Sequence, residues 1–557
     1  MAVNWAGLIS IGVFYIVVLG TGIWASRKSK REERKCTGNR SEVAMVGGRN
    51  LNLCVSIFTM TATWVGGGYI LGNAEVVYDP TKGLVWATGP IAYVITLVVG
   101  ALFFVKPIRS KNYVTLMDPF QEKYGNTVAA VLFIPALIGD ILWIACVLGA
   151  LGGTVSVVMD ISSSLAVGIS AAVAVIYTLM GGLYSVAYTD VIQLSFMFIG
   201  LWLCVPFILV SPSSANITVA AVTKLYQEPW IGKLEPEDAG RWVDDILLMG
   251  IGGLCYQAFY QRILSTATDT QAKITCYAGA VLCPILAVPS LIIGATAAST
   301  NWNQTHFGSP SPYEQGKAGM ILPIALQYLC PFYVSLVAMG ALAAAVMSSV
   351  DSALLSASSQ LGRNIFKNII YKKASEKMIL VVVKVSVLLC GTMAAVLAMT
   401  AKSIHLFWIL SGDVVYSMMT PQVVCTFYLS RWVNHYGACS GFVLAIVLRV
   451  LVGEPLLGLP DILPLPWDKI QEDGHRYRLF PFRTAIMLIT IGTILLASRL
   501  AAWVSEKRLL KRISGAETHT NIHYMAPAQK DVEEKEIEYD YAPGTDSGAG
   551  CGKGIHC

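Results

Sequence analysis

The stretch Phe58-Thr59-Met60-Thr61-Ala62-Thr63-Trp64-Val65-Gly66-Gly67-Gly68-Tyr69 lies inside an apolar run that extends from residue 50 to 78. About 20 apolar residues cross a bilayer as a helix, and at mid-depth such a helix is ordinarily Leu and Val. Here those positions hold hydroxyls followed by three glycines. A helix interrupted in this way frees backbone carbonyls, which are tolerated at membrane depth only where they are buried in protein or line a cavity. The alternative is that the glycines merely permit close helix packing.

A second interruption, Gly250-Ile251-Gly252-Gly253-Leu254-Cys255-Tyr256-Gln257, lies in the run 243 to 265. Counting outward from these two gives thirteen apolar runs, near 5 to 26, 50 to 78, 83 to 105, 127 to 157, 164 to 187, 189 to 210, 243 to 265, 274 to 299, 321 to 358, 378 to 400, 403 to 429, 436 to 453 and 484 to 505. The interrupted runs are the second and the seventh, each the first of a block of five (2 to 6 and 7 to 11). Five is odd, so the second block enters the membrane from the opposite face. Matched interruptions in inverted repeats point to the central site of a transporter, and a packing motif would not require the match. The expected fold is an all-α integral membrane protein of about thirteen transmembrane helices.

The composition agrees. Only 13% of the 557 residues are charged and 55% are hydrophobic, too few charges to solvate a soluble fold of this size. The net charge of +5 is small, and the basic residues sit in short clusters between apolar runs, so a nucleic-acid partner is not expected. Thirteen cysteines lie scattered without a CxxC pair or metal-ligand spacing, which reads as buried free thiols.

The first run has no basic region before it and is not a signal peptide. The cluster Arg27, Lys28, Lys30, Arg31, Arg34, Lys35 follows it, which places the N-terminus outside. From that start, Lys106, Arg109 and Lys111, then Arg262 and Lys273, then Arg363, Lys367, Lys372, Lys373 and Lys377, then Lys507, Arg508, Lys511 and Arg512 all fall on the cytoplasmic side. The mixed-charge stretches 211 to 242, 300 to 320 and 454 to 483 fall outside. They include two glycosylation sequons, at Asn216 and Asn303. Residues 1–512 are thus expected as the membrane domain and 513–557 as a disordered cytoplasmic tail.

The ninth run contains Ala345-Val346-Met347-Ser348-Ser349-Val350-Asp351-Ser352. Two adjacent hydroxyls suit a hard cation such as sodium, although serines in membrane helices often bond back to their own backbone. Asp351 lies on a different side of the helix and is open to three roles: a second ion, a gate, or a structural pair. Trp64 directly precedes one interruption and Tyr256 closely follows the other, so both rings would face one central cavity. Paired His and carboxylates of catalytic spacing are missing from the membrane runs, and an enzyme is not expected.

The segment from Tyr177 to Gln193, which includes Gly181-Gly182, Thr189 and Asp190, resembles the signature of the sodium/solute symporter family. The Ser348-Ser349 helix is similar to that family's sodium helix. The second run, Phe103 to Lys111, Met117-Asp118-Pro119-Phe120, Asn301 to Thr305, Ile321 to Pro331 and Ala344 to Ser359 resemble its choline-carrying members, over residues 5 to 505. The resemblance implies a LeuT-type inverted repeat of five plus five helices. It implies sodium held by carbonyls of Thr59, Ala62 and Ala345 with hydroxyls of Ser348 and Ser349, and choline held in an aromatic cage at Trp64, Tyr93, Trp143 and Tyr256. Vertebrate choline carriers have Trp where this chain has Tyr256. Chloride dependence, supply of choline for acetylcholine synthesis, a presynaptic plasma-membrane and synaptic-vesicle location, a homo-oligomer and trafficking partners on the tail are further implied. Members that move sugar, proline or iodide, and a sodium-gated channel or sensor on the same scaffold, are the rival readings.

Overall fold

The computed structural model describes residues 5–33, 40–159, 161–400, 403–454, 458–470 and 476–519. The chain divides into two compact units, Met1–Ala502 and Trp503–Cys557. In the second, the described residues continue the helix Phe482–His519, and Lys507 lies 3.8 Å from the centre of the Trp503 ring. The expected tail from 513 is therefore helical to His519, and its remainder lies outside the described residues.

Among the described residues, eight helices are long and apolar enough to cross a membrane, and the bent pair Leu53–Trp64 and Gly67–Tyr78 makes a ninth. Helices also cover the other four expected runs: Trp5–Glu33, Ser163–Met180, the pair Ala239–Gly252 and Gln257–Ser265, and Ile404–Tyr428. Length and composition alone thus select nine of the thirteen.

Both expected interruptions are present. The first pair meets at 48°, with Val65 (ψ 73°) and Gly66 (ψ −168°) outside helical geometry. At the second, a single 3-10 turn at Gly253–Cys255 leads to extended Tyr256. Thr96 donates its hydroxyl to the carbonyls of Met249 (3.1 Å) and Gly250 (2.8 Å) beside that break. The glycines also serve packing. A Cβ on Gly66 would overlap the Ser349 side chain, and one on Gly67 would lie 2.9 Å from Ala150 and from Val346. The helix Phe332–Gln360, called here the serine helix, is buried continuously from Ala341 to Gln360 and forms the centre of the bundle.

The loops sort into two ends. At one, Ala215 N–H donates to Ser299 (2.8 Å) and Asn301 N–H to Ser213 (2.9 Å), which joins the two sequon-bearing loops, and both Asn216 and Asn303 are exposed. Tyr477 donates to Asp238 there (3.0 Å), which brings in the third mixed-charge loop. The other end is stitched by Arg109 to Ile263, Thr266 and Asp269, by Arg49 to Asn112, and by Asn364 to Asp118 and Gln121. One basic residue departs from expectation. Arg262 is fully buried, because its short helix Gln257–Ser265 ends inside protein and not at a membrane surface. All ten described cysteines are free, and seven are buried.

Candidate functional site

The helix break at Val65 exposes the carbonyl of Ala62 toward the serine helix. Ser348 Oγ and Ser349 Oγ both approach it, at 3.4 and 3.3 Å. These are long for hydroxyl bonds, which favour about 2.7–2.8 Å. Oxygens that ligate a hard cation at about 2.4 Å and right angles lie about 3.4 Å apart, so the spacing fits such an ion. Thr59, Ala62, Ala345, Ser348 and Ser349 are all buried, and the structure brings Ala62 of one helix against the two serines of the other, with Thr59 and Ser348 both bonded to Asp190. The Thr59 carbonyl accepts from Thr63 Oγ1 (2.7 Å), while its hydroxyl donates to Asp190.

Asp190 and Arg262 complete this region, and neither stood out as a site residue in the sequence. Both are fully buried. The Asp190 carboxylate accepts from Thr59 and from Ser348 Oγ (2.7 Å), and it lies 3.5 Å from the Arg262 guanidinium. Arg262 also donates to Ser352 (2.5 Å) and Thr63 (3.0 Å). A buried ion pair holds only when hydrogen bonds satisfy its remaining atoms, and this one draws them from both the broken helix and the serine helix. Asp351 lies within electrostatic reach of this pair but is hydrogen-bonded elsewhere. One of its oxygens accepts from Thr178 Oγ1 (2.6 Å), which ties the serine helix to Ser163–Met180.

The rings expected to form a cage do converge. Trp64 has its centroid 5.0 Å from Tyr93, 6.5 Å from Trp143 and 6.5 Å from Tyr256, and Trp143 lies 5.2 Å from Tyr256. A fifth ring, Trp408, closes the group at 5.7 Å from Tyr93, donating its N–H to the Tyr93 hydroxyl at 3.1 Å. Tyr256 is held by a 2.5 Å hydrogen bond between its hydroxyl and Ser411, which in turn donates to the Gly139 carbonyl (2.9 Å). These five rings with Met249, Gly253 and Gly412 line a cavity of about 10 Å³. That is near the lower limit for a single water, so the rings must part to admit anything larger.

Comparison with known proteins follows this geometry. A family model described as the sodium:solute symporter family matches residues 45–445. The chain is 46% identical to the human high affinity choline transporter 1 over 92% of this chain and 87% of that one. It is 42% identical to the Drosophila melanogaster high-affinity choline transporter 1, over 89% and 78%. Among solved structures, a Na+-coupled sialic acid symporter in a substrate-bound outward-open state superposes with a TM-score of 0.64 at 17% identity, covering 89% of this chain and 98% of that one. With two broken helices around one ring-lined cavity, a serine helix against the first break, and these matches across most of its length, the chain belongs to the sodium:solute symporter family.

Proposed function

We propose that the protein carries choline into the cell, coupled to sodium, by alternating access around the ring cluster. The observation that carries this reading is the five-ring cavity with no charged or amide side chain in its lining. A quaternary ammonium has no N–H to donate, so hydrogen-bonding groups cannot select it, whereas aromatic faces attract it. A sugar would require several amide or carboxylate groups in the same wall. The names of the relatives at 41–46% identity support the same substrate.

Sodium would sit among Thr59, Ala62, Ala345, Ser348 and Ser349, where the oxygen set is hard and the spacing fits. It supplies the downhill gradient; the chain's part is to hold the broken helix and the serine helix together only when the oxygens are satisfied. Choline and sodium are both cations, and an inside-negative potential draws each inward with about 2.3 kcal/mol per charge per 100 mV. Asp351 is proposed to couple the serine helix to its neighbour through Thr178. The end that carries Asn216 and Asn303 is proposed as extracellular and glycosylated. The resemblance extends the proposal to a chloride requirement, to homo-oligomers, to a presynaptic plasma-membrane and vesicle location serving acetylcholine synthesis, and to trafficking partners of a cytoplasmic tail.

The test is uptake of radiolabelled choline into proteoliposomes, with sodium or with an impermeant cation in its place. Accumulation against a gradient is expected only with sodium, and uptake unchanged by its removal would overturn the proposal. A channel or sensor would fail to accumulate choline at all. In the same assay Ser348→Ala and Ser349→Ala should each raise the half-saturating sodium concentration by about tenfold or more, the effect of removing one contact to a charge. Normal sodium dependence in both variants would rule out the serine assignment.

Affinity for choline should follow the ring at position 64. Phe keeps an apolar ring with a weaker negative face, and Leu keeps only the apolarity. Apparent affinity is expected to fall in the order Trp, Phe, Leu, with a total loss of about 1–2 kcal/mol, roughly 5- to 30-fold. Equal values for Trp64→Phe and Trp64→Leu in correctly delivered protein would mean that the residue only fills space.

A further inference from the structure

Glu75 is a carboxylate of the membrane region that plays no part in the ion or ring sites above. It lies on the half-helix Gly67–Tyr78 and is 5% exposed. Its oxygens reach the start of Ile404–Tyr428, the helix that carries Trp408. Ser403 Oγ donates to one oxygen at 2.5 Å, and the backbone N–H of His405 donates to the other at 3.0 Å. Ser403 is already the N-cap of that helix, accepting from Leu406 N–H at 3.2 Å. Glu75 therefore adds a link between two elements where one helix exposes its free N–H groups and its positive dipole end.

What the link holds in place is the ring at Trp408. Trp408 stacks edge-on to Tyr69 at 6.0 Å and to Tyr93 at 5.7 Å, over the cage. It rests on backbone: a Cβ on Gly72 would lie 3.4 Å from the indole, and one on Gly89 only 2.6 Å. Contacts to glycine carry no interlocking side chains, so at this corner the Glu75 bonds act together with the Trp408–Tyr93 hydrogen bond and ring contacts to resist separation. Cys146 lies beneath it, 1% exposed, with its thiol 3.4 Å from the Ile404 carbonyl.

We infer that Glu75 is a positioning residue that fastens the Trp408 helix over the ring cluster, and that release of its two bonds opens the cavity toward the Tyr78 end. The inference rests on the choline reading only for what then enters; the lid itself is independent of it. Cys146 is a native reporter for the open state. In purified, detergent-solubilised protein its alkylation by a maleimide should be slow, and Glu75→Ala should accelerate it by about tenfold or more. Glu75→Gln retains one acceptor and loses the charge, and should fall between the two. Cys146→Ser supplies the background from other thiols. Cys425, buried at the far end of the same helix, separates opening from unfolding because a released lid leaves it protected. A Cys146 rate in Glu75→Ala within twofold of wild type overturns the inference, as does equal acceleration at Cys425. Should Glu75→Ala fail to fold, Ser403→Ala removes one donor and carries the same expectation and the same refutation. No choline is needed for this readout, so a protein that proves to carry another solute would leave the result standing.

Discussion

Arg262→Met should prevent the protein from accumulating in folded form. The arginine is fully buried and bonds to Ser352 and Thr63 while facing Asp190 at 3.5 Å. Methionine fills similar space and removes the charge, leaving a carboxylate with two hydroxyl donors and no cation. Breaking a buried pair from one side costs about 3–5 kcal/mol, a large fraction of the 5–15 kcal/mol that holds a typical fold. Thermal unfolding in detergent and surface delivery both report the loss. The double variant Arg262→Met with Asp190→Asn removes both charges of the pair and should recover much of the stability without recovering sodium dependence. A wild-type unfolding temperature for the single variant would mean that the pair contributes nothing.

The second large effect is expected at Gly66. Its φ of −114° is open to any residue, so backbone freedom is not the reason for glycine there. The reason is space, since a single methyl would overlap the Ser349 side chain. Gly66→Ala must either push the serine helix away or turn the Ser349 hydroxyl off the Ala62 carbonyl. Overpacking of this kind costs about 1–3 kcal/mol. It should also raise the half-saturating sodium concentration by about tenfold or more, because it displaces an oxygen of the proposed ion site. Gly492→Ala is the matched control, since a Cβ there meets nothing within 4 Å. If both alanines behave alike in a sodium titration, the close approach at Gly66 has no functional weight.

The broken helices were legible because glycine and threonine at mid-depth contradict what a lipid-facing helix requires. That contradiction can be read without a structure. The rings at Trp64 and Tyr256 follow from their places beside the breaks and the two serines from their adjacency on one membrane helix, whereas Tyr93 and Trp143 came only from resemblance. Trp408 was missed for a physical reason: it lies five residues into the run 403 to 429, a depth at which tryptophan ordinarily marks the membrane interface. Asp190 and Arg262 were hidden the same way. Counting hydropathy places both at run ends, and charge at a run end reads as surface. For Arg262 the broken helix invalidates that rule, since its half-helix Gln257–Ser265 ends in the middle of the protein, while Asp190 lies inside Leu183–Leu209, a helix that begins six residues before the apolar run.

The glycine bed under Trp408 bears on how such a carrier can change over time. At Gly72 an added methyl would make ordinary contact with the indole, while at Gly89 it would strike it. Two glycine codons thus offer a mild and a strong way to shift the same cavity-lining ring without replacing any residue proposed to bind solute or ion. Single methyl steps at these glycines are therefore a route by which lineages retune the fit of the cavity wall while its aromatic side chains stay the same.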